Sequence, residues 1–179
     1  FFQQFRSFAG ALFQQVVGQV GWDAKPNDGH LDSLLRTTVL GQIGSYGDHQ
    51  VLSEAQNRFA RFLNEPTSLH PDLRGVVYGL TAQEGNRATY DALWELEQKA
   101  DLHEERMRLL GALTRFQQEE LLQDVLERSL SSEVRSQDSV LVVISVAGNR
   151  HGKELAWEFI KANWEELDRR YGQGGFAIM

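Results

Sequence analysis

The segment from Arg135 to Tyr171 constrains the fold most, because its apolar residues fit two helices joined by a tight turn. The first half, from about Gln137, is almost continuously apolar. Its apolar residues are Val140, Leu141, Val142, Val143, Ile144, Val146 and Ala147. Such an element is typically buried on nearly all sides, and its β-branched residues would also suit a buried strand. The pattern that follows favours the helix.

The second half of this segment predicts one amphipathic helix that carries two inward-facing tryptophans. Apolar residues recur at steps of three and four, which is the spacing of one helical face. They are Trp157, Ile160, Trp164, Leu167 and Tyr171. The turn before them is marked by Gly148, Asn149 and Gly152.

The earlier part of the chain repeats this arrangement more weakly. Predicted helix pairs begin near residues 30, 71, 102 and 137, at intervals of roughly 30 to 40 residues, close to the period of HEAT and armadillo repeats. No segment shows the alternation of a strand. The sequence therefore predicts an all-α fold of stacked antiparallel helical hairpins, similar to part of a HEAT- or armadillo-like α-solenoid.

The first 29 residues combine a wide apolar helix with the clearest break in the chain. The break spans residues 21–29, where Pro26 stops regular structure and Asn27-Asp28-Gly29 is turn chemistry. The prediction is one helical-repeat domain over residues 1–179, cut from something longer, with a break at 21–29. One neighbouring pair cannot bury all of the phenylalanines in the first helix, so we expect that helix to self-associate or to remain mobile. They include Phe1, Phe2, Phe8 and Phe13.

The amino-acid composition argues against several classes of function. With 18 Lys+Arg against 25 Asp+Glu the net charge is −7, which argues against binding to a phosphate backbone. The chain has no cysteine, so thiolate catalysis and cysteine-held zinc are excluded. The longest apolar run falls far short of the roughly 20 residues of a membrane span. We therefore predict a cytoplasmic chain with neither nucleic acid nor membrane as a partner.

No constellation of residues predicts catalysis or metal binding by this chain. His103-Glu104 followed by Met107 comes within one residue of the zinc-peptidase signature His-Glu-x-x-His. Methionine replaces the second imidazole, and a thioether is a poor zinc ligand. The five histidines all fall at or next to helix starts, which in a stack of helices lie too far apart to share one ion. The expected catalytic, cofactor and metal residues are therefore none.

Polar residues at the predicted hairpin ends are the remaining candidates for a site. They are Arg115, Arg135, Gln137, Asp138, Arg150, His151 and Lys153. Such side chains can present donors to a carboxylate, such as a peptide C-terminus, or make interdomain contacts. The commoner role of residues in these positions is to cap helices and to bond neighbouring repeats.

Blocks along nearly the whole chain resemble the C-terminal helical region of zinc aminopeptidases of the puromycin-sensitive and aminopeptidase N type. The blocks are GWD at 21–23, KP at 25–26, HLD at 30–32, LLR at 34–36, PDLR at 71–74, VY at 77–78, LLGAL at 109–113, EVRSQD at 133–138, AWEFIK at 156–161 and NWEEL at 163–167. Their agreement in order is more specific than any single motif.

The resemblance implies a bowl of paired helices that closes over a separate catalytic domain and meets the distal part of peptide substrates. The zinc ligands and the general base of such enzymes belong to that other domain. The implied partners are the catalytic domain of the same polypeptide and peptide substrates. The alternative is a free-standing helical-repeat scaffold for protein interactions, which would need polar, capped ends.

Overall fold

A computed structural model describes residues 2–172, and this part of the chain consists of α-helices, one short 3₁₀-helix and loops. The chain divides into two compact units, residues 1–85 and 86–179. The first unit holds α1 Phe2–Val20, α2 His30–Ser45, α3 His49–Asn64, the 3₁₀-helix Pro66–Ser68 and α4 Pro71–Gln83. The second holds α5 Arg87–Lys99, α6 His103–Leu113, α7 Glu119–Ser129, α8 Ser136–Gly148, α9 Lys153–Ala162 and α10 Trp164–Tyr171.

The predicted all-helical fold is confirmed, and local signals explain where the helices begin. Helices start at residues 30, 71, 103 and 136, against predictions near 30, 71, 102 and 137. The Asp48 carboxylate caps α3 by accepting from the backbone N–H groups of Gln50 and Val51, at 3.0 and 2.9 Å. Pro71 opens α4, where its missing N–H is not needed.

The first three predicted helix pairs were displaced by one helix along the chain, whereas the fourth predicted pair, α8 with α9, does pack together. The helices that pack most closely are α1 with α2, α3 with α4, α5 with α6 and α7 with α8, and α8 also packs on α9. A glycine-containing turn marks where two helices join, whereas shared apolar surface decides which of them pack together. Whether the whole chain is one domain stays a prediction.

Helices α2 and α4 of the first unit approach each other closely at two glycines. A Cβ atom built on Gly41 would lie 3.1 Å from Val76 Cγ2, and one on Gly44 would lie 2.6 Å from both Cδ atoms of Leu80. Leu80 is fully buried, so its side chain fills the space that a residue larger than glycine would need. The absence of side chains at these two positions sets the distance between the helices.

The predicted break at 21–29 is a loop held from both sides by arginines. Arg36 is only 5% exposed, pairs with the Asp28 carboxylate and donates to the Val20 carbonyl at 3.3 Å. Arg58 donates to both carboxylate oxygens of Asp23, at 2.9 and 3.1 Å, and its guanidinium lies 5.0 Å from the centre of the Trp22 ring. These bonds tie the loop to α2 and α3 of the same unit.

The prediction of one continuous helix with two inward-facing tryptophans was wrong. The helix is interrupted at Asn163, between α9 and α10, and Trp157 and Trp164 are 56% and 53% exposed. Ala156 is fully buried instead and marks the inward face of α9, which packs on α8. Adjacent helical residues point about 100° apart, so burial of Ala156 turns Trp157 outward.

The prediction that the preceding helix is buried on nearly all sides was also wrong. Leu141 and Ile144 of α8 are 49% and 59% exposed, whereas Val142, Val143 and Val146 are buried. One face of α8 packs on α7 and α9, and the opposite face, although apolar, is open in this structure.

The first helix likewise exposes part of its apolar surface. Phe8 is exposed and Phe13 is half-buried, while Phe1 and the side chain of Phe2 lie outside the described residues. The predicted self-association through α1 is therefore still a prediction.

Low pH is expected to weaken the packing of α10 on the rest of its unit, because the Glu166 carboxylate orients Arg170, which bonds α10 to the Leu130 carbonyl. Glu166 accepts from Arg169 and Arg170, and Arg170 donates to the Leu130 carbonyl at 2.8 Å. The hydrogen bonds from Arg169 and then Arg170 lower the pKa of Glu166 to about 2, from its ordinary 4.5. A depressed folded-state pKa stabilises the fold above pH 4.5, and this contribution is lost as the pH falls towards 2.

The measurement is the denaturation midpoint of the chain at several pH values between 6 and 2. We expect Glu166→Gln to lower the midpoint at pH 6 and to converge with the parent chain near pH 2. The neighbouring, exposed Glu165→Gln is the matched control and should follow the parent curve at every pH. Parallel curves for Glu166→Gln and the parent chain would contradict the assignment.

Candidate functional site

The candidate site residues predicted from the sequence separate into two groups at opposite ends of α8. Arg135, Gln137 and Asp138 lie at its start, and Arg150 and His151 follow its end. The helix has 13 residues and is therefore about 20 Å long. The two groups cannot bind the same small chemical group.

At the C-terminal end of α8, one asparagine joins two turns that are distant in sequence. Asn149 Nδ2 donates to the carbonyls of Thr114 and Phe116, at 2.9 and 2.8 Å, and its Oδ1 accepts from the His151 N–H at 2.9 Å. We call residues 114–118 and 149–152 the basic turn pair. These bonds place Arg115, between the two bonded carbonyls, next to the turn that carries Arg150 and His151.

Arg115 has the most distinctive electrostatics in the basic turn pair. Its side chain reaches solvent, yet the surrounding protein removes enough water to lower the pKa of the guanidinium. Among the described residues no carboxylate lies within ion-pairing distance of Arg115. A partly desolvated cation without an acidic partner is stabilised by an anion that approaches from solvent.

The rest of the basic turn pair adds positive charge. Arg150 is exposed and His151 is half-buried, and Lys153, the first residue of α9 directly after the turn, is also exposed. Exposed acidic residues follow each turn, Glu119 and Glu120 after the first and Glu154 after the second. The positive potential is therefore confined to the turns themselves, where the arrangement can hold one small anion such as a carboxylate.

The group at the start of α8 is arranged differently. Arg135 and Gln137 are exposed, but Asp138 is only 4% exposed, and its carboxylate lies 3.8 Å from Nδ1 of His103. Asp138 is in the first turn of α8, where the helix dipole favours a negative charge. This carboxylate connects the starts of α6 and α8 and faces the protein interior. Peptide or interdomain contacts of the seven candidate residues stay predictions.

Sequence reasoning missed two residues near these groups. It assigned Asn149 to a turn, without its bonds to carbonyls more than 30 positions earlier. It did not single out Glu97, a buried residue of α5 whose pKa is raised by burial. The spacing could have identified it, because Glu97 continues the apolar stripe of Tyr90, Leu93 and Trp94 at helical intervals, whereas Glu95, the other glutamate of α5, lies off that stripe and is exposed.

Two further observations concern metal and membrane. Within residues 2–172, the histidine, aspartate and glutamate side chains do not form a group of three or more that could hold a metal ion. None of the helices in the described part of the chain is both long and apolar enough to cross a membrane.

Sequential helix pairs define the class of this chain as a helical-repeat protein, and comparison with known proteins gives its family. The ERAP1-like C-terminal domain family matches residues 1–179. The chain belongs to this family, and the resemblance to aminopeptidase C-terminal regions is confirmed.

The relatives are aminopeptidases from plants and animals. The chain is 34% identical to aminopeptidase M1 of Arabidopsis thaliana, in a match that covers 94% of this chain. It is 37% identical to aminopeptidase M1-A of Oryza sativa subsp. japonica, in a match that covers 90% of this chain. It is 32% identical to glutamyl aminopeptidase of Homo sapiens over 87%. The matched regions cover 20%, 19% and 16% of these relatives, so the chain spans about a fifth of their length.

Proposed function

We propose that this chain is the non-catalytic C-terminal helical part of a zinc metallo-aminopeptidase, which encloses the active-site cavity and contacts the distal part of the peptide substrate. The family match over residues 1–179, with relatives that are aminopeptidases, carries the proposal. In this proposal zinc and the catalytic groups lie elsewhere in the same polypeptide, and this chain contributes binding surface only.

Exposed apolar side chains on α1 and α2 support a partner within the same polypeptide. The exposed residues are Phe5, Phe8, Leu12, Leu31, Leu34 and Leu35. Helices α1 and α2 pack together, and large apolar side chains exposed on neighbouring helices are typical of a surface that a partner covers. We propose that this face packs against further residues of the parent enzyme. The isolated chain would then use the same face to self-associate.

The basic turn pair supports the peptide part of the proposal. A substrate held by its N-terminus in the catalytic domain ends in a carboxylate at its other terminus. Arg115 has no acidic partner among the described residues and is partly desolvated, so it is the best-placed donor for that carboxylate. Arg150 and His151 lie in the adjoining turn and add donors of the same kind.

The test is Arg115→Ala in the full-length enzyme, assayed with a peptide in two forms, with a free carboxylate and with a C-terminal amide. A charge-assisted hydrogen bond contributes roughly 1.5 to 3 kcal/mol, so KM for the free peptide should rise about tenfold or more. KM for the amidated peptide and for an aminoacyl reporter should not change. Arg61→Ala removes another exposed arginine and serves as the control.

Two results would contradict the proposal. Equal KM changes for the free and amidated peptides would show that Arg115 does not bind the carboxylate. Hydrolysis by the isolated 179-residue chain, or stoichiometric zinc in it by elemental analysis, would overturn the assignment as a non-catalytic part. A partner protein that binds the isolated chain through α1 and α2 would instead favour the free-standing scaffold.

A further inference from the structure

The first unit contains a cavity of about 450 Å³ between α1 and the turn that joins α2 to α3. One wall is a face of α1 formed by Arg6, Ser7, Gly10, Ala11 and Gln14, which are polar or small. The opposite wall is the end of α2 and residues 46–48 of the turn. The volume falls within the roughly 300 to 1,000 Å³ of small-molecule sites.

A fixed cation and a fixed carboxylate both line this cavity. Arg6 Nε donates to the Tyr46 carbonyl at 3.0 Å, and its guanidinium lies against Gly47, whose φ of +89° favours glycine. Asp48 Oδ1 accepts from the backbone N–H groups that begin α3, which orients the carboxylate. Its Oδ2 makes no hydrogen bond to any described residue.

The other lining groups are complementary to a peptide. The Gln14 amide is exposed and has no partner among the described residues, so it can both donate to and accept from an amide bond. Ile43, the Tyr46 ring and Ala11 supply apolar surface. Arg6, Asp48 and Gln14 together therefore match a small ligand that carries an anionic group, a cationic group and an amide.

We propose that this cavity binds short zwitterionic peptides, of two or three residues with free termini. The ligand carboxylate bonds to Arg6, its ammonium group bonds to Asp48, and a peptide amide faces Gln14. This inference rests on the lining residues of the first unit alone and does not depend on the proposed function.

The chain offers a well-matched pair of variants for the test. Gly10 and Gly18 are both in α1, and a Cβ atom at either position would meet no atom within 4 Å. Leucine is a better helix former than glycine, so both Gly10→Leu and Gly18→Leu should fold. Only residue 10 lines the cavity, so only Gly10→Leu fills it.

A third variant tests the charge. Asp48→Asn removes the carboxylate that would bind the ammonium group, while asparagine remains an effective cap for α3. Far-UV circular dichroism of each variant checks that it is folded.

Binding of trialanine to the whole chain is measured by isothermal titration calorimetry and by NMR shifts at Gly10 and Gly47. We expect trialanine to bind, and its N-acetylated, C-amidated form to bind at least about tenfold more weakly, because both charge-assisted bonds are lost. Gly10→Leu and Asp48→Asn should weaken binding of the free peptide by a similar factor, and Gly18→Leu should not change it. The proposal is overturned if trialanine does not bind, if the capped peptide binds equally well, or if Gly10→Leu binds like Gly18→Leu.

Discussion

Replacing Asn149 by alanine is expected to lower the free energy of unfolding by about 2 to 4 kcal/mol, because three hydrogen bonds are lost together. Thr114 and Phe116, whose carbonyls accept from Asn149, are buried residues. A buried carbonyl that loses its donor costs about 1 to 3 kcal/mol. Chemical denaturation followed by circular dichroism measures the change.

Asn64→Ala is the matched control for this variant. The Asn64 side chain makes one exposed hydrogen bond, 2.9 Å to the Ala60 carbonyl within its own helix, so its loss should change stability by less than about 0.5 kcal/mol. If Asn149→Ala were as stable as Asn64→Ala, the basic turn pair would not be held together by this side chain. The variant should also reduce the effect of Arg115→Ala on KM, because the two turns would no longer be fixed to each other.

A single methyl group at position 152 is expected to lower the free energy of unfolding by about 1 to 3 kcal/mol. A Cβ atom on Gly152 would lie 2.5 Å from the Val146 carbonyl oxygen and 2.6 Å from Val146 Cγ1. Val146 is fully buried, so the contact can be relieved only by moving the end of α8 or the start of α9. Gly152→Ala therefore tests how tightly the second turn of the basic turn pair is packed.

Gly148→Ala provides the comparison four residues earlier. A Cβ atom at position 148 would meet nothing within 4 Å, and alanine is favoured over glycine in a helix by roughly 0.5 to 1 kcal/mol. We expect this variant to be as stable as the parent chain or slightly more stable. Equal midpoints for the two alanine variants in denaturant would show that the turn relaxes without loss of stability.

Local chemistry explains why the helices could be predicted so well from the sequence. Asp48 and Pro71 mark helix starts through bonds and sterics confined to one turn of chain, so no knowledge of the fold is needed. The orientation of Trp157 and Trp164 could not be predicted in this way. The helix is interrupted at Asn163, so the residues before it and those after it do not continue one helical face. The apolar residues that form a single stripe in the sequence therefore do not share one face in the structure.

The candidate site was predictable only in part for a similar reason. The residue types of the basic turn pair were recognised, because arginine and histidine at helix ends are suited to bind anions. Which of them lie together depends on Asn149, whose partners Thr114 and Phe116 are 35 and 33 positions away in the sequence. Burial of Asp138 likewise follows from the position of α6, which the pattern within α8 does not contain.

The contact between Gly44 and Leu80 means that the two positions, 36 apart in the chain, share a single volume. A larger residue at position 44 would fit only if the residue at position 80 were smaller by a comparable number of carbon atoms. A smaller residue at position 80 alone would leave a void that Gly44 cannot fill. Substitutions at these two positions are therefore coupled by geometry. Anyone who redesigns this helix crossing must change the two residues together.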